Sequence, residues 1–195
     1  DVVRPAPLHR LLGGGLGVAY IEGEEAPTIA HWGNVLLDAC QALGVRSKVS
    51  VEPGRAIAAA AAMTVYSVGT VKHIPGVRTY ISVDGGMSDN PRPVLYGSGY
   101  ESFLPRAVTD ERAMTARLVG KHCESGDVLS FAAQLPADTA VGDLLAMPVT
   151  GAYGHSMGSN YNKITRPPVV FAANGDARLV VRRETYDDLL RADIG

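Results

Sequence analysis

Several short runs in this chain have residue types and spacings that could do chemistry. Gly13-Gly14-Gly15-Leu16-Gly17 could cradle a phosphate: backbone N–H groups unshielded by side chains approach an anion closely, and turn conformations are accessible. It is not a dinucleotide fingerprint, since Val18 or Tyr20 stands where the last glycine of Gly-x-Gly-x-x-Gly is needed. No Lys-Ser/Thr follows, which excludes a P-loop. A tight turn and a phosphate cradle both stay open for this run taken alone. Glu52-Pro53-Gly54-Arg55 ends a β-type run and opens an alanine-rich helix, whose N-terminus would offer free N–H groups to an anion; a plain strand-to-helix turn also explains it. His122-Cys123-Glu124-Ser125-Gly126-Asp127 packs five polar side chains into six residues. Zinc wants about four ligands at recognised spacings, and no second Cys/His pair is present, so no metal site is expected. A polar turn is one reading, and a catalytic cysteine beside a carboxylate that holds a cationic group is another. Asp84–Tyr100, with Arg92 and Tyr96, reads as one long unstructured loop, a feature that tends to be functional. The Gly/Ser/Asn-rich stretch Tyr153–Tyr161 can bind a ligand or cover a core edge. His31, His73 and His155 show no partners and read as surface or structural residues.

The elements that must position these runs follow from periodicity and punctuation. Leu8–Leu12 reads as a strand running into the glycine turn. Thr28 can cap a helix whose apolar positions Ile29, Trp32, Leu36, Ala39, Cys40 and Leu43 fall at helical spacing, with Gly44 at its end. Lys48–Glu52 reads as a strand and Ala56–Ala62 as a helix. A β-α-β-α order makes the two strands parallel neighbours, with both glycine-containing loops at the same end. That raises a shared phosphate site above either loop's own claim, since barrels commonly bind phosphate at such loops. From Met63 the texture changes. Thr64–Ile74, Arg78–Val83, Thr115–Val119, Val128–Gln134, Leu144–Val149, Pro168–Ala172 and Ala177–Val181 are short β-rich runs between turn signals, which predicts an all-β sandwich or barrel. Tyr186–Ala192 reads as a closing helix.

Composition narrows the class. The 195 residues carry 18 Lys+Arg against 20 Asp+Glu, with 46% apolar residues, which excludes a disordered chain and a strongly basic nucleic-acid binder. No apolar run is long enough to span a membrane. Two cysteines, Cys40 and Cys123, suit a reducing compartment. The length falls short of a complete (β/α)8 barrel, which needs ~250 residues. The first residue is Asp1, with no signal-peptide pattern after it, so the start of the chain need not be the start of its gene.

The glycine run, Glu52–Arg55, Asp84-Gly85-Gly86-Met87-Ser88-Asp89-Asn90, Arg92 with Tyr96, His122–Asp127, Tyr153 and Arg182-Arg183-Glu184-Thr185, in that order, resemble the C-terminal half of the diaminopimelate decarboxylases. These are fold-type III decarboxylases dependent on pyridoxal 5'-phosphate (PLP). The resemblance runs from Leu12 onward. It implies α/β plus all-β architecture: the last two βα units of a PLP-binding (β/α)8 barrel over 1–62, then a C-terminal β-sandwich or barrel domain over 63–195. It implies decarboxylation of meso-diaminopimelate to L-lysine by a cytoplasmic homodimer with shared active sites. By resemblance, Gly14, Gly15, Glu52, Pro53, Gly54, Arg55 and Tyr153 bind PLP. Arg55, Arg92, Tyr96, Glu124 and Tyr153 bind substrate, and Cys123, donated across the dimer, is catalytic. The family's Schiff-base lysine has no counterpart, since Lys48, Lys72, Lys121 and Lys163 match no such motif. Leu11 stands where an acidic residue is usual, and the first dozen residues do not follow the family's strand. The 195 residues alone are therefore expected to be inactive. The alternatives are a non-catalytic truncated paralogue whose β domain binds a full-length partner, and a related fold-type III decarboxylase for another amino acid.

Overall fold

The computed structural model describes residues 9–195; the expectations that touch residues 1–8, including Leu8 as the start of a strand, lie outside the described residues. Strand β1 (His9–Leu11) pairs in parallel with β2 (Lys48–Ser50), with His9 opposite Lys48 and Leu11 opposite Ser50. Helix α1 (Ile29–Ala42) makes the crossover between them. Thr28 caps it by accepting the His31 N–H at 3.1 Å, and Gly44 at φ +65° follows its end, as the spacing predicts. The apolar side chains of α1 find little cover among the described residues, with Ile29, Val35 and Leu37 all exposed, as is Leu43 just past its end.

Helix α2 (Gly54–Ala58) is shorter than the alanine run predicts and tightens into a 3-10 turn at Ala59–Ala61. The cause is tertiary. The Gly151 N–H takes the Ala59 carbonyl at 3.0 Å and the Thr150 N–H takes the Ala62 carbonyl at 3.1 Å, so a distant loop claims acceptors that a longer helix would use.

The remaining strands are β3 (Met63–Ile74), β4 (Arg78–Val83), β5 (Met114–Val119), β6 (Val128–Leu135), β7 (Leu144–Pro148), β8 (Val169–Ala173) and β9 (Asp176–Val181). Five of them form one sheet in the order β6-β5-β4-β3-β7, while β8 and β9 form a separate hairpin. Strand β3 serves two partners in succession, β7 through Met63–Ser67 and β4 through Val68–Ile74. Strands β4 and β5 are parallel, which demands a long crossover. That crossover holds the segment expected as an unstructured loop, and it is not unstructured: Arg92–Tyr96 forms a short helix, α3, which ends on Gly97 at φ +63°. Helix α4 (Tyr186–Leu190) closes the chain, capped reciprocally by Thr185 and Asp188.

Alternation buries one face of the sheet. Thr79, Ile81 and Val83 on β4 meet Ala116 and Leu118 on β5, Leu129, Ala133 and Leu135 on β6, and Leu145 and Met147 on β7. Each fully buried leucine there contributes about 1.5–3 kcal/mol. Tyr20 and Tyr100 join this core from the loops, their rings edge to face at 5.0 Å. They are the link between the packed sheet and the cleft beside it.

Candidate active site

The loop after β1 and the loop after β2 are bound to each other. The Glu52 N–H donates to the Gly13 carbonyl at 2.7 Å, and the Leu12 N–H donates to the Ser50 carbonyl at 3.0 Å. The approach leaves no room for a side chain at Gly14, where a Cβ would lie 2.2 Å from the Glu52 carbonyl oxygen. Gly15 sits at φ +92°, a conformation costly for other residues, with open space where a side chain would stand.

These two loops form one wall of an open cleft of roughly 660 Å³, lined by Gly15, Glu52, Pro53, Gly54 and Arg55. Helix α3 and the loop after it supply Arg92, Tyr96 and Ser98 opposite, and the 150s segment adds Tyr153 and Met157. Tyr153 is held at φ +64°, rare for a residue with a side chain.

Arg92 is the most constrained of these groups. It is 8% exposed, and its guanidinium carbon lies 5.2 Å from the Tyr20 ring centre, 5.1 Å from Tyr96 and 5.5 Å from Tyr153. Such contacts hold a guanidinium without neutralising it. Its Nη2 donates to the Ser98 hydroxyl at 3.1 Å, and its Nε is buried with no partner among the described residues. Arg55 likewise has no ion-pair partner among the described residues. Two guanidinium groups outside any ion pair therefore line one cleft, beside the Glu52 carboxyl group, and a guanidinium can pair a carboxylate in bidentate fashion. Burial pushes the neighbouring Tyr100 phenol up to about 12, against the opposing pull of Arg92.

The Cys123–Glu124 turn lies elsewhere. Neither residue lines this cleft within one protomer, and both are exposed. The turn is anchored by a buried pair that sequence reasoning missed. The Asp127 carboxylate accepts the Met87 N–H at 2.7 Å, the His122 N–H at 2.9 Å and the His122 imidazole Nδ1–H at 2.7 Å. The Gly120 backbone passes so close that a Cβ there would lie 2.1 Å from the Asp127 carboxylate. Beyond it, the Tyr161 ring stacks on His122 at 5.9 Å and the Tyr161 hydroxyl donates to Glu124 at 2.5 Å. Among the described residues no three His, Cys, Asp or Glu side chains group as metal ligands.

The structure thus brings Gly15, Glu52, Pro53, Gly54, Arg55, Arg92, Tyr96 and Tyr153 to one cleft, with Gly14 fixing the approach of its two loops. It leaves Cys123 and Glu124 apart from them. Tyr20 escaped sequence reasoning because its place after a glycine run reads as loop, and nothing local marks it as a neighbour of Arg92.

The family model for the pyridoxal-dependent decarboxylase C-terminal sheet domain matches residues 36–151, more than half of the chain. This chain belongs to the pyridoxal-dependent decarboxylases. Among curated relatives of this chain, the diaminopimelate decarboxylase of Synechocystis sp. is 47% identical over 193 residues, covering 96% of this chain and 41% of the relative. That of Mycobacterium tuberculosis is 48% identical over 192 residues, covering 94% of this chain and 43% of the relative. The chain therefore spans about two-fifths of the length of the curated relatives it matches. Among solved structures, the M. jannaschii diaminopimelate decarboxylase in co-complex with L-lysine superposes with a TM-score of 0.88 at 31% identity, over 96% of this chain and 43% of that one. A Vibrio vulnificus lysine/ornithine decarboxylase complexed with putrescine superposes with a TM-score of 0.73 at 25% identity, over 88% of this chain and 45% of that one. No helix among the described residues of this chain is long and apolar enough to cross a membrane.

Proposed function

We propose that this chain is the C-terminal part of a cytoplasmic PLP-dependent decarboxylase that converts meso-diaminopimelate to L-lysine. In this reading, residues 1–62 are the last two βα units of a (β/α)8 barrel and residues 63–195 are its C-terminal β-sandwich or barrel domain. The observation that carries the reading is the cleft in which two joined glycine loops, one of them bearing Arg55, share one space with the buried Arg92, neither arginine in an ion pair among the described residues.

The residues fit the phosphate end of PLP. Gly14 and Gly15 let the backbone approach an anion, the Glu52–Arg55 loop closes on them, and Arg55 supplies positive charge. Among the described residues no lysine lines the cleft. Bound there, PLP supplies the electron sink for the pair released when carbon dioxide leaves.

The chain's own groups do the rest. Arg92, caged by tyrosines and paired to no acid, takes a substrate carboxylate, and Arg55 assists. Tyr96 and Tyr153 wall the same space and present their rings and hydroxyls to a bound substrate. The exposed Cys123 and Glu124, which do not line their own cleft, serve the cleft of a second protomer in a homodimer. There the Cys123 thiol delivers the proton to the carbon that has lost its carboxyl group, and Glu124 takes the distal ammonium. Diaminopimelate carries an anion and a cation at its far end, so an analogue without the distal carboxylate leaves a guanidinium unpaired and is rejected.

The test is carbon dioxide release from meso-diaminopimelate, lysine and ornithine by the full-length enzyme carrying this chain. Selective turnover of diaminopimelate that collapses in Glu124→Gln is expected. Equal turnover of ornithine, or indifference to Glu124→Gln, would overturn the assignment.

A further inference from the structure

We propose that Tyr161 is a positioning residue for Glu124: its hydroxyl fixes the carboxylate by hydrogen bond while its ring is braced on the buried His122 imidazole. The inference rests on the substrate role given to Glu124 above and adds the device that makes that role geometrically defined.

Glu124 is exposed on a turn, so by itself its side chain would sample several rotamers. Among the described residues its one side-chain hydrogen bond is with the Tyr161 hydroxyl, which donates to the carboxylate. Hydrogen bonds to an ionised acceptor are stronger than those between neutral groups. The phenol is held in turn. His122 cannot rotate, since its side chain is fully buried and its Nδ1–H is fixed by Asp127, and Tyr161 stacks on it with 23° between the planes.

The segment bearing Tyr161 is pinned on both sides. The Ser159 N–H donates to the Ser88 carbonyl at 2.8 Å, and the Asn160 amide donates to Glu184 at 2.6 Å and to the Ile164 carbonyl at 3.1 Å. Glu184 is itself clamped by Arg166 at 2.7 Å. Asn162 and Lys163 take positive φ values of +54° and +58°, a kink that this anchoring sustains. The bond also raises the Tyr161 phenol pKa, with the nearby Glu124 charge and Cys123 adding to it.

The experiment compares wild type, Tyr161→Phe, Glu124→Gln and the double variant in the full-length PLP-loaded enzyme. Tyr161→Phe keeps the ring on His122 and removes only the hydroxyl. It is expected to raise KM for meso-diaminopimelate roughly tenfold, the worth of one hydrogen bond to a charged group, with kcat nearly retained. In the Glu124→Gln background the same change is expected to cost nothing further. Independently, phenol titration near the tyrosinate absorbance, read as wild type minus Tyr161→Phe, is expected to show the Tyr161 component moving down when Glu124 is replaced by Gln. Multiplying effects in the double variant, or a Tyr161 titration indifferent to Glu124→Gln, would overturn the inference while leaving the substrate role of Glu124 intact. A Glu124→Gln enzyme with unchanged KM would overturn that role, and with it the functional part of this one.

Discussion

Gly14→Ala removes nothing and adds one methyl group, which makes it a clean probe of the joined loops. The new Cβ would lie 2.2 Å from the Glu52 carbonyl oxygen and 3.1 Å from its carbon. An ordinary contact needs about 3.5 Å, so the loops must part by about 1 Å. Both obstructing atoms are backbone, and neither can swing away as a side chain would. Overpacking of this kind costs about 1–3 kcal/mol. Parting the loops also strains the 2.7 Å bond from Glu52 N–H to the Gly13 carbonyl, worth about 1 kcal/mol. The fold should lose about 2–4 kcal/mol, and loops parted by about 1 Å no longer converge on one anion, so PLP affinity should fall at least roughly tenfold, or about 1.4 kcal/mol. Gly17→Ala is the control, because a Cβ there meets nothing within 4 Å. Cofactor binding to the full-length enzyme, followed by PLP absorbance, reads the outcome. A Gly14→Ala enzyme that binds PLP as tightly as the Gly17→Ala control would refute the reasoning.

Three further outcomes follow from the same geometry. Arg92→Lys keeps the charge but loses the planar fork stacked among Tyr20, Tyr96 and Tyr153, so kcat/KM for diaminopimelate should fall at least roughly tenfold in steady-state kinetics. Leu118→Ala, in the middle of the sheet core with no exposure, should cost about 2–5 kcal/mol in denaturant unfolding. Arg166 holds the Glu184 carboxyl down at about 2 against an ordinary 4.5. Its folded pKa is the lower one, so this pair stabilises fully above the unfolded value and the benefit is lost as pH falls toward the folded one. Glu184→Gln should therefore flatten the acid limb of a circular-dichroism melting profile between about pH 5 and pH 2.

The sheet was legible because its strands are short alternating runs cut by turn residues: Thr79, Ile81 and Val83 point one way whatever the neighbours are. The first crossover was legible because Thr28 and Gly44 mark both ends of α1. Helix α3 was not, since Pro91 and Pro93 around Arg92 read as loop, although proline early and Gly97 late is also how a short helix is bounded. The end of α2 was set by the 150s backbone taking the Ala59 and Ala62 carbonyls, a contact no local pattern encodes. The loops of the cleft were found as loops, but their mutual hydrogen bonds were not. The His122–Asp127 pair read as turn polarity because burial, and not spacing, makes it structural. Tyr20 and Tyr161 were missed for one reason: each acts on a residue far away in sequence, Arg92 and Glu124.

The most direct measurement mixes two variants of the full-length enzyme, Cys123→Ser and Arg92→Ala, each expected to be inactive alone, and follows carbon dioxide release from meso-diaminopimelate after subunit exchange. A site that takes Arg92 from one protomer and Cys123 from the other is intact once in every mixed dimer. Random pairing in a two-fold dimer should then restore roughly a quarter of wild-type activity. Exchange without recovered activity would contradict the account.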